Sequence, residues 1–250
     1  MHSESESSSS GRITSEDAVR FRRCVLGWWR RHARRFPWRE TTDPYSVLLA
    51  EVLLQKTDAP KVVPVFTSMS QTFPTLESLA AANPRRVAKL LDSLGLDYRT
   101  ERLRHMARDL LERYGEVPPD VDALTATRGI GRYIASAVCA QAFGQRWAVL
   151  DTNVIRVLDR YFGVRSNRPR ARDDPRMWEA AQQLLPQRAS HAARWNWALL
   201  DFAAAICSSR RPGCDACLPR SGCATHRRSH PAEKTSRQQV SSTSSSSWSE

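Results

Sequence analysis

The sequence predicts an all-α protein, on three observations. Apolar residues recur at helical spacing along most of the chain. The periodic stretches are separated by Pro and Gly breaks such as Asn83-Pro84 and Pro118-Pro119. No stretch sustains the alternation of a half-buried strand. The 250 residues are enough for one large or two small domains with real cores. Their net charge of +12 calls for a polyanionic partner: DNA, RNA or an acidic membrane. There is no run of eighteen apolar residues and no signal-peptide pattern, so a soluble, intracellular, cytoplasmic protein is expected.

From the N-terminus, residues 1–14 are Ser/Glu-rich, lack apolar periodicity and read as a disordered tail. Val47-Leu48-Leu49-Ala50-Glu51-Val52-Leu53-Leu54 reads as a helix apolar nearly all round, hence largely buried. A carboxylate there is either a core glutamate paired with an arginine or a functional group. Burial would raise its pKa and make it a proton donor near neutral pH. Gln55, one turn after Glu51, is expected on the same face, where the two side chains would line a pocket.

Thr127-Arg128-Gly129-Ile130-Gly131-Arg132 precedes an Ala-rich helix containing Cys139, a core cysteine. Gly129 and Gly131 allow a tight turn, and the helix after it opens with unpaired N–H groups and a dipole that favour an anion. Arg132 adds charge, and Arg128 is a second candidate for phosphate. An isolated G-x-G also marks ordinary interhelical turns. Asp151 follows the apolar stretch Trp147-Ala148-Val149-Leu150 and is placed to cap a helix over 152–161.

Another apolar, helical stretch, Trp195 to Ile206, leads into Cys207, Cys214, Cys217 and Cys223, with six, two and five residues between successive cysteines. Four soft thiolates within seventeen residues can close around one metal centre at little entropic cost. Zinc takes four cysteines too, but more often as two close pairs across a longer spacer. With Cys24 and Cys139 scattered elsewhere, this usage fits a reducing compartment. Residues 226–250 read as a second, Ser-rich disordered tail.

The C-x6-C-x2-C-x5-C array resembles the 4Fe-4S loop of the endonuclease III and MutY superfamily of helix-hairpin-helix DNA glycosylases. The resemblance extends from about Phe21 to Cys223. Thr127 onward resembles the second half of the family's hairpin, and Leu150-Asp151-Thr152-Asn153-Val154 its catalytic aspartate segment. Phe36-Pro37-Trp38-Arg39 and Ala50 to Thr57 are similar to the MutY branch. The resemblance implies a six-helix barrel over about 41–145. It also implies a cluster domain built from the N-terminal helix, 15–40, and from 146–225, with the active site in the cleft between the two.

The resemblance further implies a 4Fe-4S cofactor on the four cysteines and double-stranded DNA carrying a mismatched or damaged base as partner. Location at the nucleoid follows, and a monomer is the default. Asp151 would stabilise the positive charge that develops on the deoxyribose, and Asn153 would hold the phosphate or the water. Glu51 would contact the extruded base together with Gln55. Tyr133 stands where bifunctional relatives place the lysine that forms a Schiff base, which implies a monofunctional enzyme.

Three departures bear on the substrate. The usual Leu-Pro-Gly-Val-Gly of the hairpin is Thr127-Arg128-Gly129-Ile130-Gly131, without the proline. Lys56 and Arg99 stand where MutY proteins have residues that probe the opposite base, whereas the archaeal thymine mismatch branch has basic residues in the first of these places. The sequence ends in a Ser-rich tail where MutY proteins carry a recognition domain. The expected function is removal of thymine or uracil opposite guanine. The alternatives are adenine excision by a MutY-like enzyme and a non-catalytic binder of distorted DNA.

Overall fold

The breaks seen in the sequence are helix starts. Asp43, Asn83 and Asp174 each stand before a proline, and each side chain accepts a backbone N–H of the helix that follows, from Ser46, Arg85 and Arg176. An Asx side chain thus satisfies an orphan donor while proline occupies the first helical position, where its missing N–H costs nothing. Asp120 and Asp151 cap in the same way, and Thr75 with Ser78 forms a reciprocal capping box.

The structure, a computed structural model, describes residues 13–95 and 98–229, without the side chains of Tyr98 and Arg99. Every regular element among them is helical. The α-helices are α1 (Ser15–His32), α2 (Pro44–Leu53), α3 (Ala59–Thr72), α4 (Leu76–Ala80), α5 (Pro84–Leu91) and α6 (Tyr98–Tyr114). They continue with α7 (Val121–Ala126), α8 (Arg132–Ala142), α9 (Thr152–Val157), α10 (Pro175–Gln183), α11 (Ala192–Ala205) and α12 (Ala224–Ser229). No helix among the described residues is long and apolar enough to cross a membrane.

The chain divides into two compact units. One comprises Ala33–Val149 and Leu185–Trp197, the other the segment up to His32, Leu150–Leu184 and the chain from Ala198. Residues 33–40, 146–149 and 185–197, expected with the cysteines, therefore lie in the first unit. Hydrogen bonds account for this: Gln141 Nε2 donates to the carbonyls of Trp38 and Thr41, and Arg146 Nε to Pro186 O at 2.9 Å. Asn196 Nδ2 donates to Trp147 O at 2.9 Å. In this unit α2 packs on α8 and α4 on α6, around a core that includes Leu48, Leu49, Leu53, Met69, Leu103, Leu110 and Val138. Cys139 is buried in it, and burial pushes its thiol up to about 12, with Asp120 adding to the shift.

The other unit is built on aromatic packing. Phe21 of α1 lies 4.4 Å from Tyr161, 5.2 Å from Phe162 and 6.0 Å from Phe202, ring centre to ring centre. The helix expected over 152–161 is α9 followed by a π-helical turn, Leu158–Phe162, which brings Tyr161 and Phe162 onto this cluster. Both tails expected to be disordered are shorter where the structure describes them. Ile13 is buried and Thr14 Oγ1 accepts from Asp17 N at the start of α1, while α12 takes in residues 226–229. The rest of both tails lies outside the described residues.

Candidate functional site

In the first unit α2 is buried along its length, and Glu51 within it is 9% exposed. Gln55 lies just past the end of this helix, in the turn that follows. The helix ends at Leu53, and the chain turns through Thr57 N–H donating to Leu54 O at 3.2 Å and Thr57 Oγ1 to Gln55 O at 3.3 Å. The turn is possible because Lys56 takes φ 55°, the only positive φ of a non-glycine residue among those described. For a side chain with a Cβ that conformation costs about 1–2 kcal/mol. It leaves the Lys56 side chain exposed. Strain held at an exposed cation five residues after a buried carboxylate marks this turn as a candidate contact. Leu96, Asp97 and the Arg99 side chain lie outside the described residues.

The sequence 127–131 forms a type II turn. Ile130 N–H donates to Thr127 O at 3.1 Å, Arg128 sits at the second position with negative φ, and Gly129 at the third has φ 97°. Gly131 is a correction: at φ −95° and ψ 168° it is extended backbone open to any residue. A Cβ on it would meet no atom of the protein within 4 Å. Gly131 is the N-cap of α8 and supplies no side-chain acceptor. The helix start therefore offers backbone N–H groups in an open position beside the exposed Arg132. Tyr133, in the first turn of α8, is half-buried against the core of this unit. Arg128 lines a cavity of about 470 Å³ with Glu101, Arg102, His105 and Gly129.

In the second unit Asp151 caps α9 with one oxygen and is held by the other. Its Oδ1 accepts from Asn153 N at 2.9 Å and Val154 N at 2.8 Å, and Oδ2 from Asn153 Nδ2 at 2.6 Å. Capping fixes the carboxylate without occupying it fully, since Oδ2 keeps acceptor capacity. Asn153 is oriented in turn: its Oδ1 accepts from Arg156 Nη2 at 2.9 Å. Arg156 also donates to Ala203 O at 2.9 Å and, through Nε, to Cys207 O at 2.6 Å. An unbroken chain of hydrogen bonds thus runs from the Asp151 carboxylate to the first cysteine.

One helical turn further, Arg160 donates to Ser208 O at 2.6 Å and Ser209 O at 2.9 Å, with Cys207 Sγ 3.9 Å from Nη1. Neither arginine was singled out from the sequence. Their spacing from Asn153, at i+3 and i+7 on one helix face, is the signal that could have found them.

The four cysteines are free thiols on a segment shaped by short-range turns, among them Gly213 N–H to Ile206 O at 2.8 Å and Cys217 N–H to Cys214 O at 3.2 Å. Burial pushes the Cys217 thiol up to about 12, and Cys223, Cys207, Cys214 and Cys24 add to the shift. The Cys223 thiol is raised by burial, against backbone N–H donors at His226 and Thr225, and Cys207 and Cys214 raise it further. Charge on any one of these sulfurs would therefore be felt by the others. Among the described residues no three His, Cys, Asp or Glu side chains are gathered closely enough to hold a metal ion. The donor set nevertheless fits an iron–sulfur cluster: four thiols and no imidazole, with an arginine and two backbone N–H groups on the sulfurs. A cationic core would offset that charge.

Gly222 is required beside Cys223. A Cβ there would collide with the Tyr161 hydroxyl and come within 2.8 Å of Arg20 Nη2.

Residues 49–183 match the model of the HhH-GPD superfamily base excision DNA repair protein. A thymine/uracil-DNA glycosylase of Pyrobaculum aerophilum is 34% identical over 204 residues, 80% of this chain and 89% of that protein. An adenine DNA glycosylase of Rattus norvegicus is 34% identical over 222 residues, 85% of this chain but 43% of its own length. Among solved structures, a thermostable thymine-DNA glycosylase superposes with a TM-score of 0.81 at 32% identity, over 87% of this chain and 100% of its own.

Proposed function

We infer from this chain's membership of the HhH-GPD superfamily of base excision DNA repair proteins that it removes thymine or uracil mispaired with guanine from double-stranded DNA. It is a DNA glycosylase, a hydrolase of N-glycosyl bonds. The observation that carries the choice of base is the likeness to a thymine/uracil-DNA glycosylase along 89% of that protein's length.

The chemistry follows from the residues. The N-terminus of α8, with Arg132, Gly129 and Gly131, takes a backbone phosphate without reading sequence. An open Gly131 lets that phosphate approach the helix start closely. The exposed Lys56 meets the base opposite the lesion, with Arg99 as its proposed companion. The mispaired nucleotide leaves the stack more readily than a paired one, and Glu51 and Gln55 contact its base. As the C1′–N bond breaks, positive charge grows on the sugar. The Asp151 carboxylate, fixed by Asn153, stabilises that charge and takes a proton from the water that attacks C1′. The departing base receives a proton from Glu51.

Tyr133 lies close to the sugar and has no amine with which to form a Schiff base, so the product is an intact strand with an abasic site. Cys207, Cys214, Cys217 and Cys223 hold a 4Fe-4S cluster, which, when bound, orders the loop and offers no open iron to substrate. The barrel and cluster domains correspond to the first and second units, and the protein acts as a monomer at the nucleoid.

A second reading, excision of adenine opposite oxidised guanine, is favoured by 34% identity to an adenine DNA glycosylase across 85% of this chain. One assay separates the two: single-turnover reaction on duplexes carrying T·G, U·G, A·G and adenine opposite oxidised guanine, with and without alkali. Alkali-dependent breakage at T·G or U·G is expected. Breakage only at adenine transfers the chain to the second reading, and breakage without alkali removes the monofunctional assignment.

A further inference from the structure

The turn at 127–130 is held from outside the hairpin. In a type II turn the second position favours proline, which presets φ. Here that position is Arg128, a residue with more freedom in the unfolded chain. The backbone is nonetheless ready for proline: Thr127 has φ −79° and ψ 128°, the extended conformation that precedes one. The backbone hydrogen bonds given by Thr127 and Ile130 leave the Arg128 N–H out among the described residues.

The constraint comes from α6. Arg102 reaches across 27 residues and donates through Nη2 to Gly129 O, the carbonyl of the turn's third residue. The same helix holds the end of α7 through Arg113 Nη1 to Ala126 O at 3.0 Å and Tyr114 Oη to Ala123 O at 3.3 Å. Gly129 makes the contact possible twice over. Its φ of 97° suits glycine, and a Cβ would stand 2.9 Å from Arg102 Nε. Arg102 Nε is itself buried without a hydrogen-bond partner, so that nitrogen is not shared with another acceptor while Nη2 bonds the carbonyl.

We propose that Arg102 is the positioning residue of the hairpin. Its bond to Gly129 O holds the turn in the shape that presents the N-terminus of α8 to a DNA phosphate, in place of a turn proline. This rests on the reading that the hairpin takes a phosphate.

The test is a compensation experiment on the full chain, read as the Kd for a matched, uncleavable duplex at fixed salt together with Tm. Arg102→Met is expected to weaken binding about tenfold, the range for losing a charged hydrogen bond. Arg102→Lys, which keeps a cationic donor, should stay within about threefold. In the Arg102→Met background, Arg128→Pro should recover most of the affinity although it removes a second cation. In wild type the same change reports what loss of the Arg128 cation costs by itself, and the recovery is read against that value.

A role as a mere positive charge is excluded by that recovery, since net charge falls as binding returns. If Arg102→Met is too unstable to titrate, Arg102→Gln with and without Arg128→Pro makes the same comparison. Unchanged Kd in Arg102→Met, or no recovery with proline, overturns the proposal. Arg132→Glu separates the premise: if this reversal leaves Kd unchanged, the hairpin is not the docking surface and both readings fall. If it weakens binding while proline does not rescue, only the role of Arg102 falls.

Discussion

The turn at 127–131 and the loop at 207–223 are both short, basic connections at the ends of helices, and they are held by different means. The turn is closed by Ile130 N–H on Thr127 O, by Gly129 at positive φ and by the Arg102 guanidinium, all supplied by the unit it belongs to. The loop gathers four thiols, and two of them are pushed up by burial and by the others. Its outer contacts, Arg156 on Cys207 O and Arg160 on Ser208 O and Ser209 O, approach it from α9 and the π turn. A self-sufficient turn keeps its shape whatever is bound. As thiolates the loop's cysteines would repel one another, so with the proposed 4Fe-4S cluster bound the loop's shape would depend on the cluster. Asp151 is joined to that loop through Asn153 and Arg156, so on this proposal its placement would share the dependence.

The broadest break in this comparison is Cys217→Ser, or removal of iron by a chelator. Excision should fall to background and Tm should drop, as structural metal sites contribute folding energy directly. Scanning calorimetry paired with the visible absorbance of the protein checks it, and an iron-free protein with full activity would remove the dependence. Asp151→Asn comes next. It should lower the single-turnover rate by about 10³-fold or more while mismatch binding stays within about twofold, because the lost charge acts only in the transition state. Retained excision would leave Asp151 as a helix cap alone.

A narrower test cuts the wire and spares its ends. Arg156→Lys loses the fork that joins Asn153 Oδ1, Ala203 O and Cys207 O, and a misplaced catalytic group costs up to about 10²-fold. The rate should fall about 10- to 100-fold with Kd and iron content unchanged. A parallel loss of iron would assign Arg156 to the loop instead. The smallest effect is expected at the turn. Arg132→Ala should weaken binding to all duplexes alike and lower the slope of log K against log salt by about 1, with the excision rate of bound substrate unaltered. An unchanged slope would place the phosphate contact elsewhere.

Much of this was legible in the chain. The cap-and-proline pairs at Asp43, Asn83 and Asp174, the apolar run around Glu51 and the spacing of the cysteines depend on neighbours close in sequence, where backbone geometry sets the outcome. Where local pattern misled, a longer-range constraint had won. Helix α2 stops at Leu53, and in the turn that follows Lys56 adopts a left-handed conformation that helix periodicity does not encode. The G-x-G pattern marks both glycines as turn residues, yet of the two only Gly129 has positive φ. The expected boundary of the cysteine domain missed the return of residues 185–197, held through Arg146 and Asn196. The π turn at 158–162 has no periodic signature of its own.

The amino-acid sequence by itself determined the helical class, the helix starts, the thiol donor set and the presence of Glu51, Tyr133 and Asp151, because each rests on residue chemistry and on spacings of a few residues. Only the tertiary structure decided which arginines matter. Arg102, Arg156 and Arg160 are three among 38 basic residues, and what sets them apart is that the oxygens they reach belong to the hairpin turn, to Asn153 beside Asp151 and to the cysteine loop. A guanidinium can bond almost any oxygen it meets, so its partner is fixed by the fold and not by its neighbours in the chain.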